Sequence, residues 1–194
     1  ALTEAGETFL AQASAALDRI REAAEAAQAQ RGLVTGTLRL NAPRVAITMV
    51  LAELLTDLAR RHPALTVEVT CDDGFVDIVS AGYDAGLRLG EKIAEDMVAV
   101  RLTPPFELMV VAAPDYLRRR GEPLTVADLQ AHNCVGYKQV SGGGAYAWDL
   151  LDEGREVAVD VRGTSRVTDP YLAIELALAG VGLAYVLEPT VRHF

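Results

Sequence analysis

Few residues in this chain are placed to do catalytic chemistry. Its three histidines, His62, His132 and His193, are scattered, and no Gly-x-Ser-x-Gly, His-Glu-x-x-His or Cys-x-x-Cys pattern occurs. Carboxylates are spread along the chain, and nothing singles out an acid/base pair. The two cysteines, Cys71 and Cys134, lack metal-ligand spacing and read as two reduced core thiols. Ser141–Gly144 is glycine-rich, but no Lys-Ser/Thr follows and no strand-to-helix framing surrounds it, so it is not a phosphate loop. What the chain does offer is a corner for a small anion. Residues 36–71 read as strand, tight loop, helix, strand. Such a unit sets the end of its first strand beside a helix start, where unpaired backbone N–H groups and the positive end of the helix dipole converge.

Several elements must position that corner. Thr37–Asn41 alternates as a strand does, and Val45, Met49, Ala52, Leu55, Leu58 and Ala59 recur at helical spacing up to Arg61. His62-Pro63 stops the helix, because the residue before a proline avoids the helical region. Leu65, Val67 and Val69 then alternate as the return strand. A weaker echo follows in residues 157–187: a strand over Glu156–Arg162, a helix opened by Thr168-Asp169-Pro170 with Asp169 as its cap, glycines at 180 and 182, and a buried strand over Leu183–Leu187. Two such units predict two α/β lobes with a ligand cleft between them.

Composition narrows the class. The chain has 194 residues, 51% hydrophobic and 23% charged, which suits a globular protein of one or two domains. Leu172–Leu187 is too short and too interrupted to span a membrane, and no signal peptide is visible, so a cytoplasmic location is expected. A net charge of −9 argues against these residues holding DNA or an anionic membrane by themselves.

Between the two units, Phe75–Ser80 suits a short helix, Ala85–Leu89 a short buried strand and Val98–Leu102 another strand. Phe106–Ala112 is a strong strand, Asp115–Arg120 a short helix, Leu124–Leu129 a second one capped by Thr125, and Cys134–Tyr137 a strand. Trp148–Leu151 and Glu156–Arg162 read as antiparallel strands around the Asp152-Glu153-Gly154 turn. Residues 1–31 stand apart. Leu10, Ala13, Leu17, Ile20, Ala24, Ala27 and Arg31 follow a heptad frame, Thr3 can cap the start, and Arg31-Gly32 with Gly36 reads as a hinge. A helix with one apolar stripe needs a cover, either its own domain or the same helix of a second copy.

Several motifs, in order over the whole chain, resemble the LysR-type transcriptional regulators of bacteria. Leu2-Thr3-Glu4-Ala5-Gly6 resembles the entry to that family's linker helix, and Gly36–Leu40 the start of its effector domain. Arg61-His62-Pro63 is similar to the end of its first helix. Asp77-Ile78-Val79 with Gly82-Tyr83-Asp84-Ala85-Gly86-Leu87-Arg88-Leu89-Gly90 resembles its D-L-v…G-x-D-x-a-i-R-x-G pattern. Ala113–Leu117, Asp128–His132 and Gly180–Ala184 resemble later signatures.

The resemblance implies an α/β, two-lobe, periplasmic-binding-protein-like effector domain preceded by a long linker helix. Its expected divisions are a linker over 1–31, lobe I over 37–103 and 188–194, incomplete at its C-terminal end, and lobe II over 104–187. It implies an effector-sensing, non-enzymatic domain of a DNA-binding regulator, taking a small anionic metabolite and needing no cofactor or metal. DNA would be reached only through a winged helix–turn–helix preceding residue 1, in a homodimer or tetramer. The alternative is a free-standing cytosolic binding domain, or an enzyme, of similar fold. Carried over by position, the resemblance places Pro43, Arg44, Val45 and Thr48 in the cleft, with Arg44 as the carboxylate contact. Arg88 is either a ligand contact or a structural partner of Asp77 or Asp84. Tyr137, Thr168 and Asp169 face them from lobe II, while Trp148 reads as core. The linker positions Leu10, Ala13, Leu17, Ile20, Ala24 and Ala27 would form the dimer seam.

Overall fold

A computed structural model of the chain describes residues 3–29, 34–74, 76–89, 97–138, 144–192 and 194. The first helix, α1 (Glu4–Ala29), is opened by Thr3, whose Oγ1 accepts the Gly6 N–H at 3.2 Å. Its residues Leu10, Leu17 and Ile20 are 53%, 58% and 65% exposed, so nothing among the described residues covers the stripe they mark. Ala13 is half-buried, and Ala24 and Ala27 lie on the same helix. Arg31 and the Gly32 hinge lie outside the described residues.

The first lobe is built on a three-stranded parallel sheet, ordered β2 (Leu65–Cys71), β1 (Gly36–Ala42), β3 (Ala85–Gly86). Between β1 and β2 runs one continuous helix in two forms, α2 (Ile47–Leu51, a π-helix) and α3 (Ala52–Arg61). Wider π turns are uncommon and recur at functional sites. The core beneath this helix is small: Ala42, Ala46 and Leu51, with Val50, Val69 and Leu87 against them. Three expectations fail in this lobe. Residues 78–82 form a turn, not a helix, and Asp77 caps it by accepting N–H groups from Val79 and Ser80 and the Ser80 hydroxyl. The strand at 85–89 is only two residues long and is exposed. Val98–Leu102 pairs with no strand, and Val98 is 95% exposed; its apolar alternation has no sheet edge to join among the described residues.

The second lobe carries β4 (Leu108–Val111), α4 (Pro114–Arg120), a 3-10 turn α5 (Val126–Ala131), β5 (Cys134–Lys138), β6 (Ala145–Tyr146), the ribbon β7 (Trp148–Asp152) and β8 (Arg155–Val159), β9 (Ser165–Val167), α6 (Pro170–Leu178) and β10 (Leu183–Leu187). β10 lies between antiparallel β4 and parallel β5, and β5 also pairs in parallel with β9 and antiparallel with β6. α5 starts in a capping box, in which the Thr125 N–H donates to Asp128 Oδ2 at 2.8 Å. The strand entering α6 is β9. The expected hairpin of Trp148–Leu151 with Glu156–Arg162 forms as β7 and β8, paired across the Glu153-Gly154 turn, so only the expectation that this strand also leads into α6 fails.

This lobe packs both faces of its sheet. One face buries Val135, Val167, Ala173, Ile174, Ala177, Ala184 and Val186 under α6. The other buries Tyr116, Leu129, Cys134, Trp148 and Leu183. Trp148 is 1% exposed and stacks on Tyr185 with ring centroids 5.4 Å apart, which makes it core as expected. The two glycines after α6 do different work. Gly180 takes a positive φ of 71° to end the helix, while a Cβ on Gly182 would sit 2.0 Å from the Asn133 carbonyl oxygen. After β10 the chain forms a last short helix, α7 (Glu188–Val191), which lies against α2 in the first lobe.

Candidate functional site

Both sheets aim the carboxyl ends of parallel strands at the junction between lobes, where ligands of open α/β sheets sit. On the first side, β1 ends at Ala42, opposite Cys71 of β2. That register sets residues 43–44 beside 72–73, and the Asp72 N–H donates to the Ala42 carbonyl at 3.0 Å. Asp73 therefore reaches the helix start, and its Oδ1 accepts the Arg44 N–H at 2.8 Å. The expected anion corner exists, but a carboxylate of the chain itself already occupies it.

On the second side, β9 runs beside β5 with Val167 opposite Tyr137, so Thr168 and Asp169 follow directly past Tyr137. Asp169 caps α6 through Oδ1, which accepts the Tyr171 N–H at 2.8 Å and the Leu172 N–H at 3.4 Å. Its other oxygen is free for the opposite lobe. Oδ2 lies 2.9 Å from Nε of Arg44. A second bridge runs alongside, in which Thr48 Oγ1 and Tyr171 Oη share a hydrogen bond of 2.9 Å and Tyr171 Oη also donates to the Arg44 carbonyl at 3.4 Å. The two helix starts thus face each other and are joined by an ion pair and a hydroxyl pair.

Tyr137 lies within the field of this cluster. Burial, first, and then the negative charges of Asp73 and Asp169 push its phenol up to about 12, since each disfavours the phenolate. Its ring meets Tyr146 edge-on, with centroids 6.5 Å apart. Beyond it, wholly among second-lobe residues, lies a cavity of about 650 Å³ lined by Gln130, Gly136, Tyr137, Tyr146, Arg162 and Arg166, among others.

The structure brings Arg44, Thr48, Tyr137 and Asp169 together. Pro43 is half-buried beside them, and Thr168 is exposed one position before the cap. Val45 is at the helix start but only 4% exposed, so its side chain belongs to the interior and only its backbone can face a ligand. Arg88 stands apart from them. Its guanidinium donates to the carbonyls of Leu87 and Val76, not to Asp77 or Asp84, because the chain folds it back over Gly86. Asp84 instead accepts the Arg39 N–H at 2.7 Å. Cys134 is buried, and burial pushes its thiol up to about 11; Cys71, at the end of edge strand β2, is exposed and is not the core thiol expected.

Two residues of the cluster escaped the sequence. Asp73 read as part of a turn, although a carboxylate just past the end of a parallel strand is a usable signal. Tyr171 read as a helix residue, yet first-turn side chains lean back toward the helix start and carry its hydroxyl into the junction. Among the described residues there is no group of acidic, histidine or cysteine side chains able to hold a metal, and no helix long and apolar enough to cross a membrane.

Comparison with known proteins agrees with this architecture. Residues 31–194 match the model of the LysR substrate binding domain. The chain is 36% identical over 193 residues to the uncharacterized HTH-type transcriptional regulator YcaN of Escherichia coli, covering all of this chain and 63% of that protein. It is 33% identical over 184 residues to the HTH-type transcriptional regulator PgrR of the same organism, covering 95% of this chain and 62% of the relative. It therefore spans about three-fifths of the length of the curated relatives it matches. The fold is also that of CrgA, a LysR-type regulator from Neisseria meningitidis, with a TM-score of 0.70 at 23% identity over 98% of this chain and 64% of that one. Full-length AphB of Vibrio cholerae superposes with a TM-score of 0.73 at 20% identity over 100% of this chain and 65% of that one. With the family model matching most of its length, and its two lobes meeting at facing helix starts, the chain belongs to the LysR substrate-binding domain family.

Proposed function

We propose that this chain is the effector-sensing part of a DNA-binding transcription regulator, working in the cytoplasm without catalysis. Its ligand is a small metabolite bearing a carboxylate. The observation that carries this reading is the junction itself: Arg44 and Thr48 at one helix start meet Asp169 and Tyr171 at the other, so a molecule entering between them acts on both lobes at once. Pro43, the Val45 backbone, Tyr137 and Thr168 complete its surroundings. Lobe I would take residues 37–103 and 188–194, and lobe II residues 104–187, with the return of α7 against α2 supporting that division.

A ligand shifts such a pair of lobes only through unequal affinity for their arrangements. The shift would pass to α1, whose exposed stripe at Leu10, Leu17 and Ile20 suits the same helix of a second copy. DNA contact would belong to a winged helix–turn–helix joined to α1, since a net charge of −9 does not suit these residues to phosphate. The HTH-type names of the relatives support that placement.

The test is a thermal-shift screen with small carboxylates and aromatic metabolites, followed by calorimetry. A true ligand raises the melting temperature by binding only the folded state. Arg44→Ala is expected to weaken a carboxylate ligand by about 1.5–3 kcal/mol, the scale of a charged hydrogen bond. Unchanged affinity would remove Arg44 from the site. Light scattering is expected to give a two-fold dimer, and a monomer at high concentration would sink the role of α1.

A further inference from the structure

The charges at the lobe junction go further than a carboxylate ligand. Asp73 and Asp169 both touch Arg44, one through its backbone N–H and the other through Nε. Within this contact cluster, two carboxylates stand to one guanidinium. The Arg44 N–H at this corner is already paired with Asp73, which leaves an incoming anion fewer backbone donors. A carboxylate that reaches Arg44 must take the place of Asp169 Oδ2, because that oxygen holds the guanidinium at 2.9 Å.

Displacement leaves Asp169 anionic. Its Oδ1 keeps the helix cap, with the Tyr171 and Leu172 N–H groups, but Oδ2 loses the Arg44 guanidinium. A simple monocarboxylate therefore makes the junction more negative and separates a charge from its partner. A ligand with an ammonium group beside its carboxylate makes no such change, since each half of the broken pair finds a new counter-charge. Separating a partly sheltered ion pair is only modestly costly, but leaving one partner alone is still worse than re-pairing both, because the new ammonium–carboxylate hydrogen bond is charge-assisted. With its side chain 32% exposed, Asp169 is such a partly sheltered group.

Resting on the cleft reading above, we infer that the effector is a zwitterion of the α-amino acid class, whose carboxylate takes Arg44 from Asp169 and whose ammonium group takes Asp169 from Arg44. The proximity of Tyr137 to both carboxylates fits the same arrangement, because a cationic group there relieves the negative field around the phenol. The body of the ligand is left to the surfaces beside Tyr137.

Matched probes test this: L-alanine with L-lactate, L-glutamate with L-2-hydroxyglutarate, and L-phenylalanine with L-3-phenyllactate. Each pair keeps the carboxylate and side chain and exchanges the ammonium group for a hydroxyl. Using the full chain in thermal-shift and calorimetric titrations, at least one amino acid is expected to bind tenfold or more tightly than its hydroxy acid. Asp169→Asn retains a good helix cap, because Asn serves as well as Asp there, and is expected to cut that preference below threefold. Asp73→Asn provides a second variant if the first fails to fold, and is expected to reduce the preference in the same direction. A hydroxy acid that binds as well as its partner overturns the inference, as does a preference that survives both variants. Silence from every amino acid also overturns it, and the cleft reading then stands if a simple carboxylate from the wider screen binds. Silence from both series overturns the two readings together.

Discussion

The two helix starts that face each other across the junction are held in opposite ways. α6 carries its own cap: Asp169 precedes Pro170 and folds back onto the N–H groups of Tyr171 and Leu172, all within four consecutive residues. The helix of the first lobe has no side-chain cap of its own, begins as a π-helix, and borrows Asp73 from the end of β2 to pair the Arg44 N–H. One start is made by local sequence, the other by sheet register. The lobes differ in the same sense. The second packs both faces of its sheet, while the first, among the described residues, rests on the smaller core of Leu40, Ala42, Val45, Ala46 and Leu51. A helix start that depends on a distant residue can respond when that residue moves, whereas a self-capped start holds its shape.

Substitutions can break this contrast. The largest effect belongs to Asp169→Ala, which removes both cap and ion pair. It is expected to cost about 1–3 kcal/mol in chemical denaturation, the sum of a helix cap and a partly exposed ion pair. Asp169→Asn, which keeps the cap, should cost less than about 1 kcal/mol. Equal losses for the two variants would mean that the cap contributes nothing. Asp73→Ala should cost about 1 kcal/mol, the worth of one hydrogen bond to a charged acceptor at moderate exposure. Its signature is local: hydrogen exchange should quicken at residues 44–49 while α6 stays protected. Quickening in both helices would show that the two starts are not independent.

The smallest effect is electrostatic. Asp73 and Asp169 raise the Tyr137 phenol by disfavouring its phenolate, so neutralising either one should bring its titration down from about 12, as read by ultraviolet absorbance at alkaline pH. A Tyr137→Phe control identifies the signal. A titration unmoved by Asp73→Asn and by Asp169→Asn would leave burial as the whole cause.

Much of the fold was legible because it is written locally. The Thr3 cap, the His62-Pro63 stop, the Asp169-Pro170 start and the Glu153-Gly154 turn each act over a few residues, and each appears where the sequence places it. Errors gathered where an apolar run met no partner. Val98–Leu102 alternates like a strand but joins no sheet among the described residues, and residues 85–89 lose most of their expected strand. Strand propensity reports fitness for a pleated, half-buried surface, and such a surface must exist for the propensity to matter. The entry to α6 departs for a different reason: the hairpin that the Asp152-Glu153-Gly154 turn predicts claims the residues expected to lead into it. Glu156–Val159 pairs with its hairpin neighbour, and the shorter Ser165–Val167 takes the place beside β5.

The site divides along the same line. Arg44, Thr48, Tyr137 and Asp169 were legible from helix starts, strand ends and motif positions, and they do converge. Arg88 and the Val45 side chain do not join them, one folding back onto main-chain carbonyls and the other turning inward. By itself the sequence determined the elements, the caps, the acidic balance and the family pattern, because these depend on neighbours along the chain. Tertiary structure alone decided that Asp73 would fill the anion corner and that Asp169 would pair Arg44 across the junction. Asp73 and Arg44 are 29 positions apart, and only the β1–β2 register brings them within hydrogen-bonding distance. Asp169 and Arg44 are farther still along the chain, and only the meeting of two lobes makes them partners.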